Sequence, residues 1–307
     1  MEASKDARPI CDYEGSAYRT EFWGQGRDYE DAAERIALRA LLPARGRRLI
    51  EIGAGYGRLA PLYAGYDDVI FFDYALSQLQ QGRQMWGDAG PGGHPRYTYV
   101  AGDFYHLPFV AGLFDAVTMV RALHHAVDAP AVLRGMAELL APDGTLVMEF
   151  ANKRNLKAIL RYALGRQSWR PFDREPVEFV PLNLDFHPAW IRDRLAEVGL
   201  PVQKMRTVSH FRVGLLKRCV PTWLLAALDG LLQPTGACLQ VAPSVFVQSV
   251  ASHAKPLAPS GSFFRCAVCS STDLAQDTDV LRCTACGAQY GTIDGIYDFK
   301  EPLERGA

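Results

Sequence analysis

Residues 49–63 read LIEIGAGYGRLAPLY. The apolar run Leu49-Ile50-Glu51-Ile52 meets glycines at every second position, Gly53, Gly55 and Gly57, and a helix-like pattern follows. The pattern predicts a strand, a tight turn and a helix start. Glycine lets the backbone take positive φ and lets a ligand approach the main chain. A helix N-terminus would add free N–H donors. The spacing separates possible ligands. A dinucleotide fingerprint runs Gly-x-Gly-x-x-Gly, whereas here the third glycine comes one residue early and Arg58 takes its place. An acid, Glu51, stands two residues before the first glycine.

Strands and helices alternate outward from this turn. Residues 69–73 (VIFFD) read as a buried strand ending in an acid, and residues 76–86 as a helix. Residues 97–101 read as a third strand followed by Gly102-Asp103; residues 114–120 and 145–150 give two more, with a helix at 130–140 between them. Residues 189–198 read as a helix, and 202–209 and 239–250 as the last two strands. This alternation predicts an α/β fold with a parallel, doubly wound sheet whose ligands sit at the carboxyl ends of the strands. Asp73, twenty residues after Gly53, can accept from both hydroxyls of a ribose there. Asp103 can accept from an adenine amino group, with Phe104 beside it. Any one such acid also reads as a turn or helix cap; three at successive strand ends in one βαβαβ unit are harder to read so.

The GAGYG loop with its preceding Glu51, and the block at 114–150 (FDAVTMVRALHHAVDAPAVLRGMAELLAPDGTLVMEF), resemble the class I S-adenosylmethionine (SAM) dependent methyltransferases over about residues 45–150. The resemblance implies a Rossmann-like seven-stranded sheet with strand seven antiparallel. It implies a SAM site built from Glu51, Gly53, Ala54, Gly55, Tyr56, Gly57, Asp73, Tyr74, Gly102, Asp103, Phe104 and Arg121. Arg121-Ala122-Leu123-His124-His125 follows the fourth strand, where such enzymes face both sulfonium and acceptor. The Leu-His-His form is similar to the branch containing quinone-biosynthesis and other small-molecule enzymes, and dissimilar to the Asn-Pro-Pro-Tyr form of amino-group methylases. His124 or His125 is a candidate general base. Both also read as structural, because methyl transfer can run on proximity and orientation.

The chain has 307 residues, 49% of them hydrophobic, and a formal net charge of −1, so no global field draws it to nucleic acid or membrane. Residues 151–220 nonetheless hold 14 Lys/Arg against 6 Asp/Glu. This basic stretch reads as a phosphate or carboxylate site, or equally as a solvated face. The apolar segment 220–232 reads as a buried helix, or as one that covers a lipophilic substrate or lies on a membrane. No run is long enough to span a membrane and no leader is apparent at the N-terminus, so a cytoplasmic protein is expected. Residues 1–45 read as an aromatic-rich cap whose helix buries a stripe on the sheet. They also read as a lid whose Tyr13, Tyr18, Phe22, Trp23, Tyr29 and Arg27 close over the SAM site. The methyltransferase domain is expected over 46–251, a Pro/Ser-rich linker over 252–262 and a second module over 263–302.

That module carries Cys266-x-x-Cys269 and Cys283-x-x-Cys286. Four thiolates fill a tetrahedral Zn²⁺ site with no open position, so the metal is structural. About forty residues bury too little to fold without such a staple. Disulfides and a rubredoxin-type iron centre are the other readings; Cys11, Cys219 and Cys238 stand alone. With Cys286-Gly287-Ala288-Gln289-Tyr290 and Ile293-Asp294-Gly295-Ile296, the module resembles the zinc-ribbon subunits that activate tRNA, rRNA and release-factor methyltransferases, here fused. It departs from that pattern at Ala267, where a proline is usual. The expectation is SAM-dependent methylation of a small or lipophilic acceptor. RNA is the alternative, on the ribbon and the basic stretch, and a SAM-binding scaffold without transfer is a third.

Overall fold

Apolar strand cores and amphipathic helices alternate along the chain, as the residue pattern requires. The computed structural model describes residues 8–93 and 95–304. The first residues, on which the expectation of no leader rests, lie outside these, and the Tyr18 side chain is also not described. A wide helical turn at Tyr18–Trp23 leads to α1 (Asp28–Leu41), then β1 (Gly46–Ile52), β2 (Tyr66–Asp73), α2 (Leu76–Trp86), β3 (Arg96–Ala101) and β4 (Phe114–Met119). Next come α3 (Ala129–Leu139), β5 (Leu140–Ala151), α4 (Leu156–Ala163) and a hairpin of β6 (Val177–Val180) and β7 (Asn183–Asp185). Then follow α5 (Pro188–Glu197), β8 (Val202–Val208), α6 (Gly214–Cys219), α7 (Thr222–Leu232) and β9 (Ser244–Val250). The chain ends on β10 (Leu274–Asp277), β11 (Val280–Cys283), β12 (Gln289–Ile293) and β13 (Ile296–Asp298).

The sheet order is β10-β11-β12-β13-β3-β2-β1-β4-β5-β9-β8. The first five strands pair in parallel, whereas β9 runs antiparallel to both neighbours. The expectation of a seven-stranded sheet is therefore corrected. Seven strands come from the stretch before residue 251, and the cysteine module adds four to the same sheet. The junction is parallel: Tyr297 registers with Val100 and Asp298 with Ala101, and the Phe299 N–H donates to the Ala101 carbonyl. The segment expected as a linker lies against the domain. Gly112 has φ +71, and a Cβ there would stand 2.2 Å from the Pro256 carbonyl. Phe109 and Phe264 bridge beyond it.

Each face of the sheet carries its own core. One holds α1, α2 and α7 residues such as Leu38, Leu79 and Leu225; the other holds α3, α5 and the module's Tyr290. Two expected elements differ. No helix follows the glycine loop: Pro61 allows one 3-10 turn, Ala60–Tyr63, before β2 begins. β9 starts at Ser244 rather than 239, because backbone groups of residues 240–243 bond Asn152 and Leu156 instead of a neighbouring strand.

Candidate active site

A cleft opens at the carboxyl ends of β1, β2 and β4. Its lining includes Glu51, Gly53, Ala54, Gly55, Tyr56, Asp73, Tyr74, Gly102, Phe104, Arg121, His124 and His125 of the expected set. Sequence reasoning did not assign Arg58, Phe72, Gln78, Val120 or Asn183, which complete the wall, or Ile10 and Cys11, which close it from the N-terminal segment beside Tyr13 of the expected lid. Gly57, Asp103 and Arg27 lie outside it. Asp103 turns back into its own loop, accepting from the Tyr105 N–H at 2.8 Å and meeting His106 Nδ1 at 3.0 Å, as an Asx turn does. The Arg27 guanidinium stacks on Phe22 at 3.7 Å, in a neighbouring depression. Gly57 packs on Trp86.

The loop is held by backbone, not by a helix. The Gly53 and Ala54 N–H groups both donate to the Phe72 carbonyl, and a Cβ on Gly53 would collide with Ala122 at 2.4 Å. Gly55 differs: its φ is +54 and nothing lies within 4 Å of a Cβ built there, so its backbone faces open cleft. The Gly55 N–H donates to Asp73 Oδ2 at 2.7 Å, and Ala75 N–H to Oδ1 at 2.9 Å. Asp73 therefore orders the loop while each oxygen keeps a second lone pair. Burial raises its carboxyl above the ordinary range, with the backbone donors of Ala75 and Gly55 opposing.

Two buried acceptors in this cleft lack protein partners among the described residues: Glu51 Oε2 and Gln78 Oε1. A buried polar atom left unpaired costs about 1–3 kcal/mol. Burial pushes the Glu51 carboxyl up to about 8, with the Arg58 charge and the Tyr63 hydroxyl pulling the other way. Such acceptors suit a ligand bearing N–H, O–H or cationic groups.

One rim is charged but internally matched. Glu34, buried on α1, accepts from Arg58 at 2.8 Å and Arg121 Nε at 2.7 Å; Asp31 adds a second contact to Arg58. Trp23 covers both guanidiniums, at 3.9 Å and 5.1 Å. Arg121 holds φ +58, and its N–H donates to Glu149, which Ser244 also caps. The aromatic lead-in thus walls the cleft through Tyr13, Phe22 and Trp23, whereas Tyr29 turns away and donates to the buried Asp229.

The histidines occupy the opposite rim with ring centroids 3.9 Å apart. The Leu182 carbonyl lies 2.8 Å from His125 Nδ1 and can only accept, so Nδ1 carries the proton. Nε2 then accepts from the Tyr13 hydroxyl at 3.0 Å. Burial lowers the His125 pKa, opposed by the Leu182 carbonyl. Burial, with the charges of His125 and Arg121, drives His124 down to about 3.

A methyltransferase-domain family matches residues 50–148. A demethylmenaquinone methyltransferase from Beutenbergia cavernae is 33% identical over 168 residues, covering 54% of this chain and 67% of its own. The chain belongs to the SAM-dependent methyltransferases. The ubiquinone/menaquinone biosynthesis C-methyltransferase UbiE of Cellvibrio japonicus is 29% identical over 169 residues, covering 50% of this chain and 66% of its own. The chain thus spans about two thirds of the length of these curated relatives. A chain from the complex between the Haloferax volcanii Trm112 methyltransferase activator and a methyltransferase superposes with a TM-score of 0.53 at 18% identity, covering 77% of this chain and 97% of that one. That likeness shows the shared fold. SAM is the methyl donor of this family, and the cleft's free acceptors and open glycine backbone suit its ammonium, hydroxyl and amino donors.

Among the described residues, the Sγ atoms of Cys266, Cys269, Cys283 and Cys286 lie within 4.8 Å of one another, with the Cys266–Cys286 and Cys269–Cys283 pairs at 3.6 Å. Disulfide sulfurs stand about 2.0 Å apart, whereas thiolates about 2.3 Å from a tetrahedral zinc stand roughly 3.8 Å apart. The donor set fits zinc. Among the described residues no helix is long and apolar enough to cross a membrane.

Proposed function

We propose that this methyltransferase acts on a small, lipophilic acceptor, and that the four-cysteine cluster holds a structural zinc. The observation that carries the reading is the pair of unpartnered buried acceptors, Glu51 Oε2 and Gln78 Oε1, in one cleft with the open Gly55 backbone. Glu51 and the glycine loop hold the amino-acid half of the donor. Asp73 takes the ribose hydroxyls with its remaining lone pairs. Gln78, Gly102 and Phe104 receive the base. Bound SAM supplies an electrophilic methyl group on a sulfonium; the chain's work is alignment and exclusion of water.

The acceptor stands between the histidine rim and the Phe22–Trp23 wall. An RNA acceptor would call for free cations there, but the Arg58 and Arg121 side chains are engaged by Glu34 and Asp31. The likeness to quinone methyltransferases supports the same choice. A proton leaving the acceptor reaches His125 Nε2 through the Tyr13 hydroxyl, which stands in front of it. Burial keeps that imidazole neutral at neutral pH, as a base requires.

Radiolabelled SAM incubated separately with a lipid extract, a polar-metabolite extract and total RNA tests the reading. Label is expected in the lipid arm. Label in RNA alone overturns the acceptor assignment, and label in no arm, with SAM bound, favours the scaffold. Metal analysis is expected to find one zinc per chain; finding none overturns the ribbon reading.

A further inference from the structure

Of the twenty large apolar side chains exposed among the described residues, fifteen fall within residues 156–239. A soluble monomer scatters such residues singly, so their concentration marks an interaction face. Along the sequence the same region separates its cations from acids, although in the fold Lys217 and Arg212 reach back to Glu30 on α1. No Asp or Glu occurs in residues 152–172, which contain six Lys/Arg, nor in 198–228, which contain five.

The fold brings both stretches to the edge of the sheet where the cleft opens. Ala151 and Val208 both register with Ser244, so the carboxyl ends of β5 and β8 lie at the same level. The helix α4 starts five residues after Ala151, and α6 six residues after Val208. The backbone ties α4 to the end of the α7 arm, through Leu156 N–H to the Val241 carbonyl. Leu160 and Leu164 project beside exposed Lys157, Arg161 and Arg166; Leu215 and Trp223, each 71% exposed, flank Arg218.

We propose that α4 and the α6–α7 arm dock this protein on a membrane bearing anionic lipid. Exposed leucines among Lys157, Arg161, Arg166 and Arg218, which form no ion pair among the described residues, are the chemistry of an interfacial helix. A second copy covering the face by two-fold symmetry would set these cations against themselves. Eleven of the fifteen exposed side chains are aliphatic and only Tyr162, Phe172, Phe179 and Trp223 could stack on bases, so the face favours lipid over RNA. The hairpin of β6 and β7 links the face to the cleft. Phe179 and Val180 are exposed at its far strand, whereas Leu182 and Asn183 meet His125 and the cleft wall. A lipophilic acceptor would pass along it; that route rests on the proposed acceptor class, whereas the docking does not.

The test is flotation of the full chain, without SAM or acceptor, with vesicles of equimolar phosphatidylglycerol and phosphatidylcholine, and with phosphatidylcholine alone. Recruitment to the anionic vesicles is expected. Lys157→Gln with Arg161→Gln should weaken it about 25-fold, since each cation near an anionic surface contributes a factor of about five. Leu160→Ser with Leu164→Ser should weaken it at least about tenfold, with SAM affinity unchanged in both variants. Absence of recruitment, or recruitment indifferent to both variants, overturns the proposal. So does a dimer in vesicle-free solution that the leucine variant dissolves, or retention on RNA but not on vesicles. None of these outcomes bears on methyl transfer, so a failure here is separable from a failure of the proposed function.

Discussion

Replacing Glu51 by glutamine isolates the group on which the donor assignment turns. Burial moves the Glu51 carboxyl from 4.5 to about 8 in the folded chain. Between those values the folded state binds more protons than the unfolded one, so the residue's contribution to stability falls as pH rises through the interval and is flat outside it. At about 1.36 kcal/mol per tenfold step, the interval amounts to about 5 kcal/mol at its limit. Glutamine has the same shape and cannot ionise. Urea unfolding of Glu51→Gln and the native protein should therefore agree near the acid end, diverge as pH rises from about 4.5 to about 8, and differ by a constant amount above that, with the variant the more stable by up to that figure. Binding adds an opposite sign. A cationic donor draws the ionised carboxylate, so native SAM affinity should rise by up to about tenfold per pH unit until about pH 8, while the variant loses that component. Calorimetry in buffers of different ionisation enthalpy should show proton release in the native protein only. Parallel stability curves, together with identical pH dependence of SAM binding, would mean that Glu51 is neither desolvated nor at the donor. The site assignment would then fall.

Other expectations follow from single contacts. Asp73→Ala should weaken SAM binding about tenfold or more by calorimetry, because it frees the Gly55 and Ala75 N–H groups as well as losing the ribose contact. Gly53→Ala should abolish SAM binding, since its Cβ meets Ala122 at 2.4 Å; Gly55→Ala meets no protein atom, so it should cost only about 1–2 kcal/mol of backbone strain in thermal unfolding while weakening SAM binding, because the proposed donor lies against that backbone. Tyr13→Phe and His125→Asn should each lower kcat about 100-fold with little change in SAM affinity, and together no more than either alone; additive losses would break the proposed relay. Cys283→Ser, or chelation of the native protein, should remove the zinc and lower Tm, read by metal analysis and circular dichroism.

Most of the fold was legible because period and punctuation agreed. The helix at 76–86 has the expected bounds, closed by Gly87, and the alternation of buried strands specified the parallel core. The glycine loop and the strand-end position of Asp73 were local features, so sequence reached them. Asp103 was not separable from a ligand contact in sequence, because the Asx turn that occupies it uses residues only two and three further on. Gln78 gave no signal: it is one polar residue on a helix, and only the packing of α2 turns its amide into the cleft. The Glu34–Arg58–Arg121 cluster joins residues 24 and 87 positions apart, a pairing that no local pattern encodes. The sharing of one sheet by both modules was equally hidden, since β13 is three residues long and finds β3 only across the folded edge.

That shared edge has a consequence for the cleft. β13 reaches Ala101 in register and stops where Gly102 begins to line the donor site. Phe299 donates its N–H to Ala101 and packs 3.7 Å from where a Gly102 Cβ would stand, while Lys300 lies 5.5 Å from the Tyr74 ring. An unpaired β3 edge would leave this wall frayed and open to other chains. A zinc held by the four cysteines would therefore act on the proposed donor site without touching it: it would fix the short ribbon strands, which pair with β3, whose end leads into Gly102 and Phe104. Loss of the metal should accordingly raise the Kd for SAM before it changes the rate with SAM saturating, because the supported wall is Gly102 and Phe104, whereas the proposed relay rests on the Tyr13–His125 hydrogen bond and the Leu182 carbonyl.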